Sequence, residues 1–229
     1  MQRSATRGAH RRRPRGGCDM PIERPRMRRL ALLAAALLAA AHGAGAIAGD
    51  AQGWQLASEQ ERVAVYTRAV ADSEYLAVKA TVRIDAPALQ VAALMGDGSE
   101  CMAWRDMCRS TRVLDAVSAD ERYVYMVLDL PWPLADRDLV IHSRTEHDPA
   151  SDSATIHLNS ASSRYPQQDY VRAETRGRFV IRKLDEHATE FTYIMHTELG
   201  GNAPVGMVNG RLTQTARDDL QRLRAMAEG

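Results

Sequence analysis

The sequence predicts an α+β domain in which a mostly antiparallel sheet is closed by one long C-terminal helix. Two observations carry this prediction. Residues 63–199 contain several segments typical of strands, and in the one over 75–84 apolar and polar residues alternate with the period of a half-buried strand. Residues 204–226 instead place apolar side chains at steps of three and four. A helix of that length is roughly 34 Å long at about 1.5 Å per residue, which is enough to cross a whole curved sheet.

The first third of the domain is predicted as a helix, a hairpin and a second helix. A short helix is expected over 53–62, where it would bury a tryptophan and a leucine. Strands over 63–68 and 75–84 form the hairpin, because apolar residues occupy every second position of the longer strand. Residues 85–95 begin with an aspartate that can cap a helix, and Pro87 lies near the first turn, so the second helix is predicted there.

Six further strands and the terminal helix complete the predicted domain. The strand over 122–130 is apolar on both faces, which indicates that other elements cover each side of it. The strand over 170–184 has one basic face, which we interpret as solvated, and its arginines are Arg172, Arg176, Arg178 and Arg182. The six strands are expected at 112–117, 122–130, 139–145, 154–159, 170–184 and 189–199, with a loop at 160–168.

Two prolines stiffen the turn between the strands over 122–130 and 139–145. Pro131 and Pro133 fix φ and lack N–H donors, so this segment cannot continue a central sheet ladder. Trp132 lies between them, and its indole is expected to enter a core or to cover the mouth of a pocket. Arg137 follows between two aspartates, which we interpret as a structural ion pair that fixes the turn.

Charge is distributed unevenly along the chain. The formal net charge of the whole sequence is +1, but residues 1–29 contain ten arginines and only two acids. Residues 49–229 therefore hold 20 basic and 27 acidic residues, a net charge of −7. Because phosphate backbones are repelled by such a surface, nucleic acid is not a predicted partner.

The N-terminus has the three parts of a secretory signal peptide. Met27-Arg28-Arg29 is a short basic region, and residues 30–41 are an unbroken run of Leu and Ala. Ala46-Ile47-Ala48 then offers the small residues that a signal peptidase recognises. The apolar run is too short to span a bilayer as a permanent helix. We therefore expect cleavage near Ala48 and export, most simply to the periplasm.

The predicted organisation is a leader over 1–48 followed by a single domain over 49–229. No internal repeat, low-complexity tract or linker divides the second segment. Residues 1–26 are expected to lie upstream of the true start, for which Met20 and Met27 are the alternatives.

Two cysteines lie close together in the predicted domain. Cys101 and Cys108 flank Trp104 in one short loop, and an oxidising compartment favours a disulfide between them. Free buried thiols are the second interpretation. A zinc site is the third, and it would need ligands that neither another cysteine nor a nearby histidine supplies.

Motifs of catalysis are absent from the sequence. It contains no Gly-x-Ser-x-Gly elbow, phosphate-binding glycine loop or dinucleotide fingerprint, so no enzyme activity and no cofactor are predicted. His142, His157 and His196 lie on predicted strands and could converge on one interior. They lack metal-ligand spacing, so we interpret them as hydrogen-bonding residues and predict no metal.

The segment Pro131-Trp132-Pro133-Leu134 with Arg137-Asp138 resembles the most recognisable segment of START (StAR-related lipid-transfer) domains. Trp54, Trp104 and the terminal helix extend this resemblance over residues 54–226. It implies a helix-grip, Bet v 1-like fold, in which a curved antiparallel sheet wraps around the C-terminal helix. It also implies a tunnel that holds and transfers a lipid, sterol or similar hydrophobic molecule. Ser143 stands where some members of the family carry a cavity arginine.

Binding is therefore the preferred prediction for the function. The predicted partners are a hydrophobic small molecule and, transiently, a membrane surface. One alternative is a cyclase- or hydrolase-like helix-grip enzyme with His142 or His196 as its base. Another is an envelope interaction module whose core is filled. The predicted ligand-binding residues are Tyr125, Met126, Leu128, Trp132, Arg137, Ile141, His142, Met195, Met207 and Leu212.

Overall fold

The computed structural model describes residues 53–95, 98 and 101–229. Its strands are β1 (Gln55–Gln60), β2 (Val63–Arg68), β3 (Ala77–Ile84), β4 (Cys108–Ala116), β5 (Glu121–Leu128), β6 (Arg137–Asp148), β7 (Ser153–Ser160), β8 (Val171–Arg172), β9 (Glu174–Asp185) and β10 (Ala188–Glu198). Its helices are α1 (Ala88–Leu94), α2 (Cys101–Trp104) and α3 (Val205–Glu228), with a 3₁₀ turn at Ser162–Arg164. The leader predicted over 1–48 lies outside the described residues.

The strands form one sheet in the order β1-β2-β3-β10-β9-β7-β6-β5-β4. Neighbours along this path pair antiparallel, whereas β8 lies off the path and pairs in parallel with β6. The long helix α3 packs against β2 and β3 and also touches α1 and α2. The predicted α+β class, with an antiparallel sheet closed by the terminal helix, is therefore confirmed.

The first predicted helix is wrong, because residues 55–60 form strand β1. This strand pairs antiparallel with β2, and Leu56 is 56% exposed instead of buried in a helix interface. Glu61 and Arg62 connect the two strands with φ values of 52° and 68°. Positive φ at both turn residues matches the twist of a two-residue hairpin, so β1 and β2 form a tight hairpin at the sheet edge.

Two other predictions needed correction. The strand expected over 170–184 is divided at Ala173 into β8, which pairs with β6, and β9, which pairs with β7 and β10. The basic face of that strand is also not uniformly solvated, because Arg172 pairs with Asp138, a buried aspartate of β6. The short helix α2 was not predicted, and the 3₁₀ turn lies inside the expected loop.

The core lies between α3 and the face of the sheet that α3 covers, here called the inner face. Leu220 and Leu223 of α3 are almost fully buried there, which stabilises each by roughly 1.5–3 kcal/mol. Trp104 packs its ring edge-on against Phe179 and Phe191, with ring centres 5.9 and 6.5 Å apart. The aromatic cluster thus joins α2 to the centre of the sheet.

A disulfide joins Cys101 at the start of α2 to Cys108 at the start of β4, as predicted. Both cysteines are buried. By the chain-entropy account, closing so short a loop contributes about 2–3 kcal/mol. The bond therefore helps to hold Trp104 and the residues after it against α3.

Candidate functional site

Two adjoining chambers lie between the inner face of the sheet and the helices. The inner chamber has a volume of about 90 Å³ and lies over β5, β6, β7 and β9. The outer chamber has a volume of about 380 Å³ and lies under α3. Four residues line both chambers, so the two spaces meet at Arg105, Leu128, Met195 and Thr197.

Strand alternation explains why the inner chamber is apolar. Met126 and Leu128 of β5 point to the inner face, and Ile141 of β6 is on the same face one strand away. Leu158 and Phe179 continue this surface on β7 and β9. Because successive side chains of a strand point to opposite faces, every second residue of these strands reaches the chamber.

The first half of α3 forms one wall of the outer chamber. Met207, Leu212 and Ala216 face it from the helix, and Pro131 and Leu134 face it from the proline turn. Met207 is 36% exposed, so this end of the chamber reaches the protein surface. The apolar side chains on both walls leave the space between them unfilled.

Three hydrogen bonds hold the start of α3 beside the chamber. The Asn209 side chain accepts the Leu76 N–H at 3.0 Å and donates to the Glu74 carbonyl at 3.0 Å. The Tyr75 hydroxyl donates to the Ala203 carbonyl at 3.1 Å. The segment before β3 therefore fixes the position of the helix wall.

A buried ion pair lies where the chambers meet. Arg105 Nε is 3.9 Å from Asp219 Oδ2, and Asp219 Oδ1 accepts the Asp106 N–H at 2.9 Å. Burial raises the pKa of the Asp219 carboxyl above its ordinary value, although Arg105, the Asp106 N–H and Arg222 oppose this rise. The charged form of Asp219 is therefore less favourable here than in water.

Asp219→Asn is expected to change the free energy of unfolding at pH 7 by less than about 1 kcal/mol, because Asn keeps an oxygen for the Asp106 N–H. Asp219→Ala loses that acceptor and should cost about 1–3 kcal/mol. Since the folded-state pKa is raised, stability of the wild type falls as pH rises from about 4 through that pKa. If Asp219→Asn has a larger free energy of unfolding than the wild type at pH 7, urea unfolding should show that this difference becomes smaller as the pH is lowered to 4. Equal losses for Asn and Ala at pH 7 would contradict this account.

Six of the predicted ligand-binding residues come together at the chambers. Met126 and Ile141 line the inner chamber, Met207 and Leu212 line the outer one, and Leu128 and Met195 line both. The sequence offered all six as apolar side chains on the predicted strands or on the terminal helix.

Three other predicted residues lie elsewhere. Tyr125 points to the outer face, where it packs with Val127 and Val140, and burial together with the nearby Asp138 raises its pKa to about 12. His142 is also on the outer face, with Nε2 2.7 Å from Glu121 Oε1. Trp132 is 92% exposed and lines neither chamber, so of its two predicted positions the first, within a core, is excluded.

Arg137 is buried, but it does not form the predicted ion pair with its neighbouring aspartates. Its guanidinium donates to the Leu199 carbonyl at 3.0 Å and the Gly200 carbonyl at 3.2 Å, and also to Ala135. Asp138 pairs with Arg172 instead. Arg137 therefore anchors the loop that leads into α3, where Gly200 has a φ of 63° and a Cβ would lie 2.8 Å from the Arg172 carbonyl oxygen.

The strand histidines do not converge on the interior. His157 lies 3.3 Å from Glu146, and His196 lies 3.1 Å from the Ser73 hydroxyl. Burial lowers the pKa of His196. Together with His142, these residues lie on the outer face, each with its own partner. Among the described residues, no group of three or more His, Cys, Asp or Glu side chains is placed to hold a metal ion.

Sequence reasoning missed Arg105 and Asp219. The available signal was the position of Asp219, which falls three residues after Ala216 and directly before Leu220, on the apolar side of the helix. A charged residue there needs a buried partner, but its identity depends on how α2 folds against α3.

In the part of the chain that the structure describes, no helix has both the length and the apolar character required to cross a bilayer. The apolar run at 30–41 lies outside those residues.

The family model of the START domain matches residues 39–228. An uncharacterised protein of Pseudomonas aeruginosa is 31% identical over 202 residues, which are 87% of this chain and 96% of that protein. Fragment 25–204 of the STAR-related lipid transfer protein from Xanthomonas axonopodis has a TM-score of 0.71 at 27% identity, covering 77% of this chain and 99% of that one. Human StAR-related lipid transfer protein 5 also has a TM-score of 0.71, at 14% identity and with coverage of 78% and 88%, so it shares the fold.

Proposed function

This chain belongs to the START domain family, and on that premise we propose that it binds a lipid or similar hydrophobic molecule non-covalently between α3 and the sheet. The observation that carries the proposal is the outer chamber, which stays open at about 380 Å³ between apolar walls. Ligand pockets typically have volumes of about 300–1,000 Å³ and are mostly apolar with few polar groups. A filled core, as an interaction module would have, does not match this space.

The energetic basis of binding is the transfer of apolar surface out of water. Each methylene group that enters the chamber contributes about 0.8 kcal/mol. Met207 and Leu212 on one wall and Leu128 and Met195 on the other provide the apolar contacts. No covalent step and no cofactor are needed for such binding.

Native mass spectrometry of the purified protein, followed by solvent extraction, tests this proposal. The protein should carry an extractable hydrophobic molecule, or take one up from a panel of phospholipid, sterol, quinone and isoprenoid. A protein that stays empty across the whole panel would rule out the binding function.

We further propose that the ligand exchanges at a membrane surface through the end of the outer chamber at Met207, which reaches the protein surface. The exposed indole of Trp132 lies in the same turn as Pro131 and Leu134, which line that chamber. Tryptophan favours the interfacial region of bilayers, where its apolar ring and its N–H are both accommodated. Trp132 would then hold the mouth of the chamber against lipid.

Trp132→Ala is expected to weaken binding to lipid vesicles several-fold while leaving the amount of bound ligand unchanged. Vesicle co-sedimentation measures the first quantity and native mass spectrometry the second. Leu89→Ala is the matched control, because Leu89 is 84% exposed on α1 and does not line either chamber. Equal loss of vesicle binding in both variants, or in neither, would remove Trp132 from the exchange mechanism.

Export to the periplasm remains part of the proposal. It is supported by the signal-peptide pattern ending near Ala48 and by the Cys101–Cys108 disulfide, a bond that persists in oxidising compartments. Cell fractionation with N-terminal sequencing of the mature protein tests it, and an uncleaved protein in the cytoplasm would contradict it.

The alternative of a cyclase- or hydrolase-like enzyme lacks the base on which it was formulated. His142 and His196, the candidate bases, lie on the outer face of the sheet and away from both chambers. Non-covalent binding is therefore the function that the site supports best.

A further inference from the structure

The first turns of α3 have little stability of their own. The residue before the helix is Pro204, whose side chain has no oxygen to cap the first N–H groups. Gly206 and Gly210 follow, and glycine lowers the stability of a helix. A Cβ at either position would meet no atom of the described residues within 4 Å, so packing does not require a glycine there. All buried residues of α3 lie at Ala216 or beyond, so its start depends on contacts from outside the helix.

Those contacts come from residues 73–76, here called the latch segment. Two of its backbone groups are hydrogen-bonded to the Asn209 side chain of α3, and its Tyr75 hydroxyl donates to the Ala203 carbonyl just before the helix. Tyr75 and Leu76 also line the outer chamber. The latch segment therefore forms part of the chamber wall and holds the helix that forms the opposite part.

On the outer face of the sheet, the same segment contacts His196 of β10. His196 Nε2 lies 3.1 Å from the Ser73 hydroxyl and 3.3 Å from Glu198 Oε1, and the residue is only 8% exposed. The Ser73 hydroxyl in turn accepts the Tyr75 N–H at 3.1 Å. The latch segment thus passes round the end of the sheet and connects His196 on the outer face to the outer chamber on the inner face.

A positive charge on His196 is unfavourable in this environment. Burial lowers the pKa of His196, Arg176 of β9 lowers it further, and Glu198 and the Tyr75 backbone oppose the change. Glu198 is 43% exposed, so water screens its attraction. The other charged or titratable side chains that line the grooves beside His196 are Arg68, Asp72, His157, Glu174 and Arg178. Because its pKa is lowered in the closed state, that state loses stability as the pH falls below about 6.5, the ordinary value for histidine.

We propose that protonation of His196 releases the latch segment, and with it the start of α3, so that acid speeds the exchange of the bound ligand. The imidazolium gains hydration when the latch segment moves away from it, and this movement removes the contacts that hold Asn209. The outer chamber then opens at the end where Met207 reaches the surface. The inference rests on the proposed binding function for its ligand, whereas the movement of α3 itself requires none.

Two measurements on the purified protein test the latch segment. The first is the release rate of a fluorescent lipid analogue. The second is the hydrogen-exchange protection of the amides of residues 205–212 without the analogue, corrected for the intrinsic effect of pH on exchange. Between pH 7.5 and pH 5.5 the release rate should rise several-fold, and the protection of these amides should fall by a similar factor.

Two variants assign the response to this contact, and one controls for it. His196→Gln keeps an N–H donor for Ser73 but cannot be protonated, so both quantities should stay near their pH 7.5 values. Ser73→Ala removes the contact from the other side and should release the analogue faster at pH 7.5, with a weaker response to acid. His157→Gln is the matched control, because His157 lies on the same face of the sheet but pairs with Glu146, and it should keep the wild-type response.

Three outcomes would overturn the role of His196 while the binding function stands. They are a wild type whose release rate and amide protection do not change with pH, a His196→Gln variant that responds as the wild type does, and an equal loss of response in His157→Gln. A protein that binds no analogue but loses amide protection in acid, except in His196→Gln, would overturn the binding function and support the latch segment.

Discussion

Asp138→Ala is expected to lower the free energy of unfolding by about 3–5 kcal/mol, because it leaves a buried guanidinium without its counter-ion. The Asp138 side chain is fully buried, and its two oxygens accept from Arg172 Nε and Nη2 at 2.8 and 2.9 Å. These hydrogen bonds raise the pKa of Arg172. Arg172 also donates to the carbonyls of Ser162 and Pro166, so the pair joins β6 and β8 to the adjoining loop.

Glu190→Ala is the matched control for this prediction. Glu190 pairs with Arg182 at 2.9 Å on the exposed outer face, and exposed pairs contribute about 0–1 kcal/mol. Urea unfolding of both variants measures the difference directly. If Asp138→Ala costs no more than Glu190→Ala, the buried pair is not what secures β8 to the sheet.

Ala216→Phe is expected to reduce ligand affinity at least about tenfold, because the added ring occupies space that a ligand tail would use. Ala216 lines the outer chamber from the middle of α3 and is buried. A steric conflict of about 1–3 kcal/mol corresponds to roughly tenfold to a hundredfold in affinity. Folding should be retained, since the ring enters an existing cavity.

Ala225→Phe makes the same change on the exposed side of the same helix and should leave binding unchanged. Titration with a fluorescent lipid analogue gives the affinities, and thermal melting verifies that both variants fold. Undiminished binding by Ala216→Phe would place the ligand outside the outer chamber.

The sequence predicted the sheet and α3 because their side-chain periods are strong and local. Strand β1 was predicted as a helix because its residues, 55–60, are mostly exposed at a sheet edge and show no alternation of apolar and polar side chains. The division between β8 and β9 lies beside the pairing of Arg172 with Asp138, which are 34 positions apart. Such contacts between distant segments leave no periodic pattern.

The part of the candidate site that could be predicted is the set of side chains that follow the alternation along a strand. Met126 and Leu128 line the inner chamber because they lie on the same face of their strand, whereas Tyr125 and His142 were assigned to the same cavity although they lie on the opposite face. For Trp132 the sequence left two positions open, in a core or at a pocket mouth, because composition alone does not indicate whether a turn is covered.

The central claim is that a hydrophobic ligand lies between α3 and the inner face of the sheet. A crystal structure of the protein with a bromine-labelled long-chain carboxylic acid tests it most directly, since anomalous scattering locates the bromine. The account predicts a bromine position beside Met207, Leu212 and Ala216 in the outer chamber. Bromine on the outer face of the sheet, or an outer chamber that stays empty at saturating ligand, would contradict it.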